Sequence, residues 1–259
     1  MIAPFLAAGS HAPAANANPI VAVDPSAIGS TADFEALYPS FVAPLDIFLC
    51  TQESGAPVNG GTGPLVFDTE AGTWLYRQAF TLGGVGMKAS SNTSSWADSV
   101  ATHGALGTAD FTIFTVVEAT LVPPSDRYVV SKRSGAGLFP GVSISLRNDG
   151  QILAQFDRGA GTTFENIDQG LDTDLIATWA IAATRRAGEV LVQIRKAGGA
   201  VQVSTPSADL NDFDDAAALW TLGEVTGNGL EGAIYRQFLR FAYGIPDAQF
   251  AALTAWMSP

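Results

Sequence analysis

The sequence predicts an all-β fold: a two-sheet antiparallel sandwich with a short C-terminal helix and an extended N-terminal arm. Three observations point there. The chain has only 15% charged residues but 27 Gly and 14 Pro among 259 positions, which suits strands joined by tight turns better than a helical bundle. Between residues 111 and 203, short apolar or alternating runs are separated by turns, most of them containing Gly, the pattern of an antiparallel meander. From Gly229 the chain reads as a glycine-led strand over 232–243, then Pro246-Asp247 and a short amphipathic segment. A single all-β domain can reach about 200–250 residues, so the length does not require two domains.

The elements follow in order. Residues 1–32 are rich in Ala, Pro, Asn and Ser, with Pro at 4, 13, 19 and 25, and have neither helical nor strand period. They read as a solvated tail or as an arm that orders against a partner. The apolar residues Phe5, Leu6, Ile20 and Val21 support the second reading, because a purely solvated tail does not need them. The folded domain spans 33–259. Phe34 to Tyr38 suits one helical turn, Ile47 to Cys50 a strand, Asn59 to Gly63 a loop, and 64–67 and 74–80 short strands.

The middle of the chain is the clearest. Phe111 to Val117 is nearly continuous apolar, as expected for a strand covered on both faces. Val142, Ile144 and Leu146 alternate with Ser143, Ser145 and Arg147, and Asn148-Asp149-Gly150 turns the chain into the alternating run 151–156. This predicts a hairpin with one buried face. A second hairpin runs from 176–183 through Arg185 to Gly188 into 190–194, and Val201 to Val203 adds a third strand. At the end, Phe250, Leu253 and Met257 fall at helical spacing, Pro246 suits a first helical turn, and Asp247 favours the positive end of the helix dipole. The helix is expected on the edge of the sandwich.

The last block, Gly229 to Leu253, resembles the closing strand and terminal helix of concanavalin-A-like (laminin-G-like) jelly rolls. The strands at 111–117 and 142–156 support the resemblance over roughly 45–257. Gln52-Glu53-Ser54-Gly55 is loosely similar to a strand end in the phage-like branch of that family. The resemblance implies a concanavalin-A-like jelly roll, often a carbohydrate binder and in some members a glycoside hydrolase or calcium protein.

Chemistry is sparse. Retaining hydrolysis needs two carboxyls about 5 Å apart, which the family places as Glu-x-Asp-x-x-Glu on one strand. That spacing is absent, and Glu165-Asn-Ile-Asp168, the nearest approach, reads as a loop. Asp212-Phe-Asp214-Asp215 and Asp172-Thr-Asp174 are acidic loops of the hard-oxygen type, but neither matches a calcium loop; Asp214 and Asp215 also suit a helix start. No metal or other cofactor is expected. Cys50, the single cysteine, lies in an apolar run and reads as a core thiol. His103 has no partner visible in sequence. Arg185-Arg186 reads as a solvated turn, and Gly83 to Lys88 lacks phosphate-loop spacing. Sugar binding usually needs an exposed aromatic platform. Trp179 and Trp256 read as core, whereas Trp96, following the polar run 90–95, is either a platform or a cap on the core edge.

The charge of −12 opposes binding of a phosphate backbone, so no nucleic-acid partner is expected. No segment has 18 continuous apolar residues, so no membrane insertion is expected. The start of the chain lacks a basic region and reads as something other than a signal peptide. Together with the resemblance, these features lead to an expected non-enzymatic virion protein: a capsid decoration, head fibre or tail adhesin. Its arm would anchor to other virion proteins, and its sandwich would face outwards on the virion surface after lysis, as a homo-oligomer touching host-surface glycans. A secreted or surface lectin module, and a divergent glycan hydrolase or lyase, are the alternatives.

Overall fold

In a computed structural model, residues 27–132, 141–160, 163–172, 174–208, 212–213, 218–223 and 229–258 are described. The arm residues Phe5, Leu6, Ile20 and Val21, and the Asp214-Asp215 pair, lie outside them. In chain order the elements are α1 (Thr31–Leu37), β1 (Asp46–Leu49), β2 (Phe67–Ala71), β3 (Trp74–Ala79), β4 (Val85–Ala89), β5 (Ser95–Asp98), β6 (Phe111–Glu118), β7 (Arg127–Lys132), β8 (Gly141–Leu146), β9 (Gln151–Ala160), β10 (Thr163–Asp172), β11 (Thr178–Arg186), β12 (Glu189–Lys196), β13 (Val201–Val203), β14 (Ser207–Ala208), β15 (Trp220–Gly223), β16 (Ile234–Phe241), α2 (Asp247–Leu253) and a 3-10 turn (Ala255–Met257).

The strands form two antiparallel sheets. Nine make one sheet, in the order β13-β12-β11-β6-β16-β4-β3, with β1 also paired to β16 and β14 to β12; seven make the other, in the order β10-β9-β8-β7-β15-β5-β2. The architecture is the all-β antiparallel sandwich expected from the sequence. Strand alternation explains how the sheets meet. Val142, Ile144 and Leu146 of β8 and Ile152, Ala154 and Phe156 of β9 join one core cluster with Ile113 and Val117 of β6, Trp179 and Ile181 of β11, and Phe238 of β16.

The opposite face of β6, β11 and β16 is apolar as well. Phe114, Val116, Ala180, Ala182, Leu239 and Phe241 form a second cluster with Phe34 of α1 and Phe250 and Leu253 of α2. The Phe250 ring meets Phe114 edge-on at 5.9 Å, and Phe34 meets Phe241 at 6.0 Å. This second layer is why residues 111–117 read as continuous apolar. It also corrects the placement of the C-terminal helix, which lies on a sheet face and not on the sandwich edge: α2 is too apolar on one side to leave at a rim.

The packed chain begins before residue 33. Ile28 is buried in the second cluster. The Ser30 hydroxyl caps α1 by accepting the Asp33 amide at 3.2 Å, which satisfies one of the free amides of the first turn. Residues 28–30, assigned to the arm from sequence, therefore belong to the sandwich. Inside the fold, Asp46 and Arg240 form a buried ion pair, Oδ2 to Nη2 at 2.6 Å. The other oxygen of Asp46 accepts the Leu65 amide at 3.1 Å and the Asn59 amide group at 2.7 Å. This ties the 59–65 loop to β1 and β16.

Candidate functional site: the polar face of the seven-stranded sheet

The strand period that sends Val142, Ile144 and Leu146 inward sends Ser143 and Ser145 outward. Register carries that outward position across five strands. Ala97 of β5 pairs with Thr221 of β15, Thr221 with Ser131 of β7, Ser131 with Ser143 of β8, and Ser143 with Gln155 of β9. The result is one straight row of small and hydrogen-bonding side chains. Ser131, Ser143 and Thr221 are buried, and the Thr221 hydroxyl donates to the Ser131 carbonyl at 3.3 Å. Asp157, outward on β9 and paired with Gly141, is also buried.

A neighbouring row runs through Ser95, opposite Gly223, and through Tyr128, opposite Ser145, which in turn faces Leu153. The Oγ atoms of Ser95 and Ser145 are buried and make no hydrogen bond. A buried hydroxyl left unpaired costs about 1–3 kcal/mol. These two hydroxyls therefore cost stability instead of adding to it.

The face opens at Tyr128. A bulge between Tyr128 and Val130 breaks the β7–β8 register. There an open depression of about 350 Å³ is lined by Tyr128, by Ser125 and Asp126 of the β6–β7 loop, and by Asn148 of the β8–β9 turn. Arg147 approaches Asp126 at 3.6 Å and Asp149 at 3.2 Å. Polar donors and acceptors beside an aromatic ring can orient a small hydroxylated ligand; nothing in the set supplies a nucleophile with its base.

Trp96 is not at this opening. It is 4% exposed, on β5, opposite Leu222 and inside the core cluster. The expectation of an exposed platform is corrected: Ser95 and Ala97 face outward, so the residue between them must face inward. The strand was hidden in sequence by its polar neighbours.

Other sequence readings are settled by the same geometry. Glu165-Asn-Ile-Asp168 lies in β10, paired along its length with β9, and is no loop. Arg185 is buried, its guanidinium 5.2 Å from the Phe213 ring, whereas Arg186 pairs with Asp247 at 2.8 Å. The dipeptide is therefore split between core and surface and is not a solvated turn. Asp174 pairs with Lys196 at 3.1 Å, and that hydrogen bond and charge lower its carboxyl below the usual range. Among the described residues, no group of three or more His, Cys, Asp or Glu is arranged to hold a metal ion.

His103 has a partner after all. Its Nδ1 lies 2.9 Å from the buried Asp98 carboxylate, which also accepts the Val66 and Val100 amides at 2.9 and 2.8 Å. Nearby, the Gly104 carbonyl accepts the Trp220 indole at 3.1 Å, and Gly104 has φ +58° with no room for a Cβ beside that ring. The pair anchors the β5–β6 loop. Asp98 closes β5 and His103 follows five residues on in the loop, a spacing that gave no sequence signal. Burial without polar partners raises the Cys50 thiol to about 12, as expected for a core thiol.

No family model matches the chain, and no curated protein matches it. Solved structures do. The chain is similar to the binding domain of botulinum neurotoxin serotype D, with 11% identity and TM-score 0.55, over 83% of this chain and 50% of that one. It is similar to the enzymatically active domain of tailspike protein 2 from bacteriophage CBA120, with 12% identity and TM-score 0.52, over 72% and 30%. A Trypanosoma rangeli sialidase matches with 9% identity and TM-score 0.50, over 82% and 33%. At these identities the likeness is one of fold. The chain spans between 30% and 50% of the length of these structures.

Proposed function

We propose that the chain is a non-enzymatic interaction protein of a virus particle whose sandwich binds carbohydrate through the polar face of the seven-stranded sheet. The observation that carries the binding reading is the open depression at Tyr128, where loop hydroxyl, carboxylate and amide groups stand beside an aromatic ring. Several hydrogen-bonding groups beside one ring match a sugar better than an apolar ligand. A concanavalin-A-like sandwich, the resemblance read from the C-terminal block, accords with it, and so does fold likeness to a toxin binding domain and a phage tailspike domain. The proposed site is Tyr128 with Ser125, Asp126 and Asn148, not Trp96.

The particle reading places residues 1–26 as the anchor, through Phe5, Leu6, Ile20 and Val21. Decoration, head fibre and tail adhesin all fit it. Many weakly binding copies on one particle would act together by avidity. Density-gradient fractionation of a source lysate tests it. The chain should co-sediment with a large particle at stoichiometric copy number, and a chain lacking residues 1–26 should fold but stay at the top of the gradient. Full attachment of the truncated chain would remove the arm from the account. The cut must stop at 26, because Ile28 and Ser30 are part of the fold.

A further inference from the structure

We infer that the Tyr128 depression takes a single neutral sugar ring, seated on the tyrosine and held by Ser125, Asp126 and Asn148. The inference rests on the carbohydrate-binding reading and narrows it to one place and one ligand class. Size is the first argument. A volume of about 350 Å³ sits at the lower end of the roughly 300–1,000 Å³ typical of small-ligand sites. That suits one ring, not a long chain laid across the sheet.

Chemistry is the second. Tyr128 offers an apolar ring face with a polar tip. The carboxylate of Asp126 accepts hydrogen bonds, the carboxamide of Asn148 both donates and accepts, and Ser125 adds a hydroxyl. Their present ties are loose: Asp126 meets Arg147 at 3.6 Å, and Asn148 reaches the Pro124 carbonyl at 3.4 Å. Beside them on the same face, opposite Tyr128 in the ladder, the buried Ser145 hydroxyl has no hydrogen-bond partner. That hydroxyl does not line the depression; it shows how polar the sheet is opposite Tyr128.

Charge is the third. A single guanidinium, Arg147, is shared by two carboxylates, Asp126 at 3.6 Å and Asp149 at 3.2 Å. Arg127, next to Asp126 in the chain, adds a second cation, so the depression holds no excess of either charge, on a chain of charge −12. An anionic sugar would find no excess of cations to hold it there, so the ligand is neutral.

The test uses the full chain against immobilised neutral hexasaccharides of glucose, galactose, mannose and N-acetylglucosamine, with sialyllactose alongside. Wild type should bind at least one neutral probe and bind sialyllactose more weakly. Tyr128→Ala should weaken that binding about tenfold or more, as truncation of an aromatic anchor does, while Tyr128→Phe keeps most of it. Asp126→Asn changes a half-exposed side chain and gives a second reading should Tyr128→Ala lose structure; it should weaken binding with an unchanged urea midpoint. Neutral binding that survives both Tyr128→Ala and Asp126→Asn overturns this site but leaves the carbohydrate reading standing. Tighter binding of sialyllactose overturns the neutral assignment. No binding of any probe by wild type overturns both.

Discussion

The two sheets bury opposite chemistry on their outer faces. The nine-stranded sheet turns Phe114, Val116, Leu239 and Phe241 outward and seals them under α1 and α2. The seven-stranded sheet turns Ser131, Ser143, Ser145 and Thr221 outward. Apolar burial of the first kind stabilises the fold at about 25 cal/mol per Å². Buried hydroxyls of the second kind contribute little, and unpaired ones cost. The first face is held by apolar packing, whereas the second carries two buried hydroxyls, of Ser95 and Ser145, that make no hydrogen bond.

The comparison can be broken by substitution. The largest effect is expected on the sealed face. Phe114→Ala opens a cavity against Phe250 and should lower unfolding free energy by about 3–5 kcal/mol in urea titration. A loss below about 1 kcal/mol would mean that the helices only rest on the sheet.

Both core layers should also weaken at alkaline pH. Burial raises the thiol of Cys50, between the sheets, from 9.0 to about 12, and the phenol of Tyr38, under α1, from 10.0 to about 12. Above about pH 9 the unfolded chain releases these protons and the folded chain keeps them. The unfolded state then binds fewer protons, so stability falls as pH rises. The urea midpoint should decline between pH 9 and 12, and Cys50→Ala should flatten the early part of that decline. The same burial predicts that Cys50 reacts with iodoacetamide at pH 8 only after unfolding.

A smaller effect is expected at the helix that helps to seal the first face. Ser30→Ala removes the cap of α1 and should cost about 1 kcal/mol. The smallest is expected on the polar face. Ser145→Ala removes a hydroxyl with no partner and should leave stability within about 0.5 kcal/mol or raise it slightly. A loss above about 1 kcal/mol would show that this hydroxyl is structural.

The two faces also differ in how readily they could be read from sequence. The sealed layer was legible because β6, β11 and the C-terminal block carry apolar residues at both strand positions or at helical spacing. The hairpin at Asn148 to Gly150 was legible from alternation on either side of a turn. Sheet edges were not. The β10 run Glu165-Asn-Ile-Asp168 is polar because an edge strand is held by backbone bonds and needs few apolar side chains. The candidate site was least legible. It joins Ser125, Asp126 and Tyr128 to Asn148 of the β8–β9 turn, segments that only the pairing of β7 with β8 brings together. Arg185 was misread for a similar reason: the ring that covers it, Phe213, lies 28 positions downstream.

The most direct test is to map amide chemical-shift changes while titrating the full chain with the neutral oligosaccharide that binds best. The account predicts that the largest changes cluster at Ser125, Asp126, Tyr128 and Asn148, with the helix-covered face silent. Changes centred on α1, α2 or the strands beneath them would contradict it.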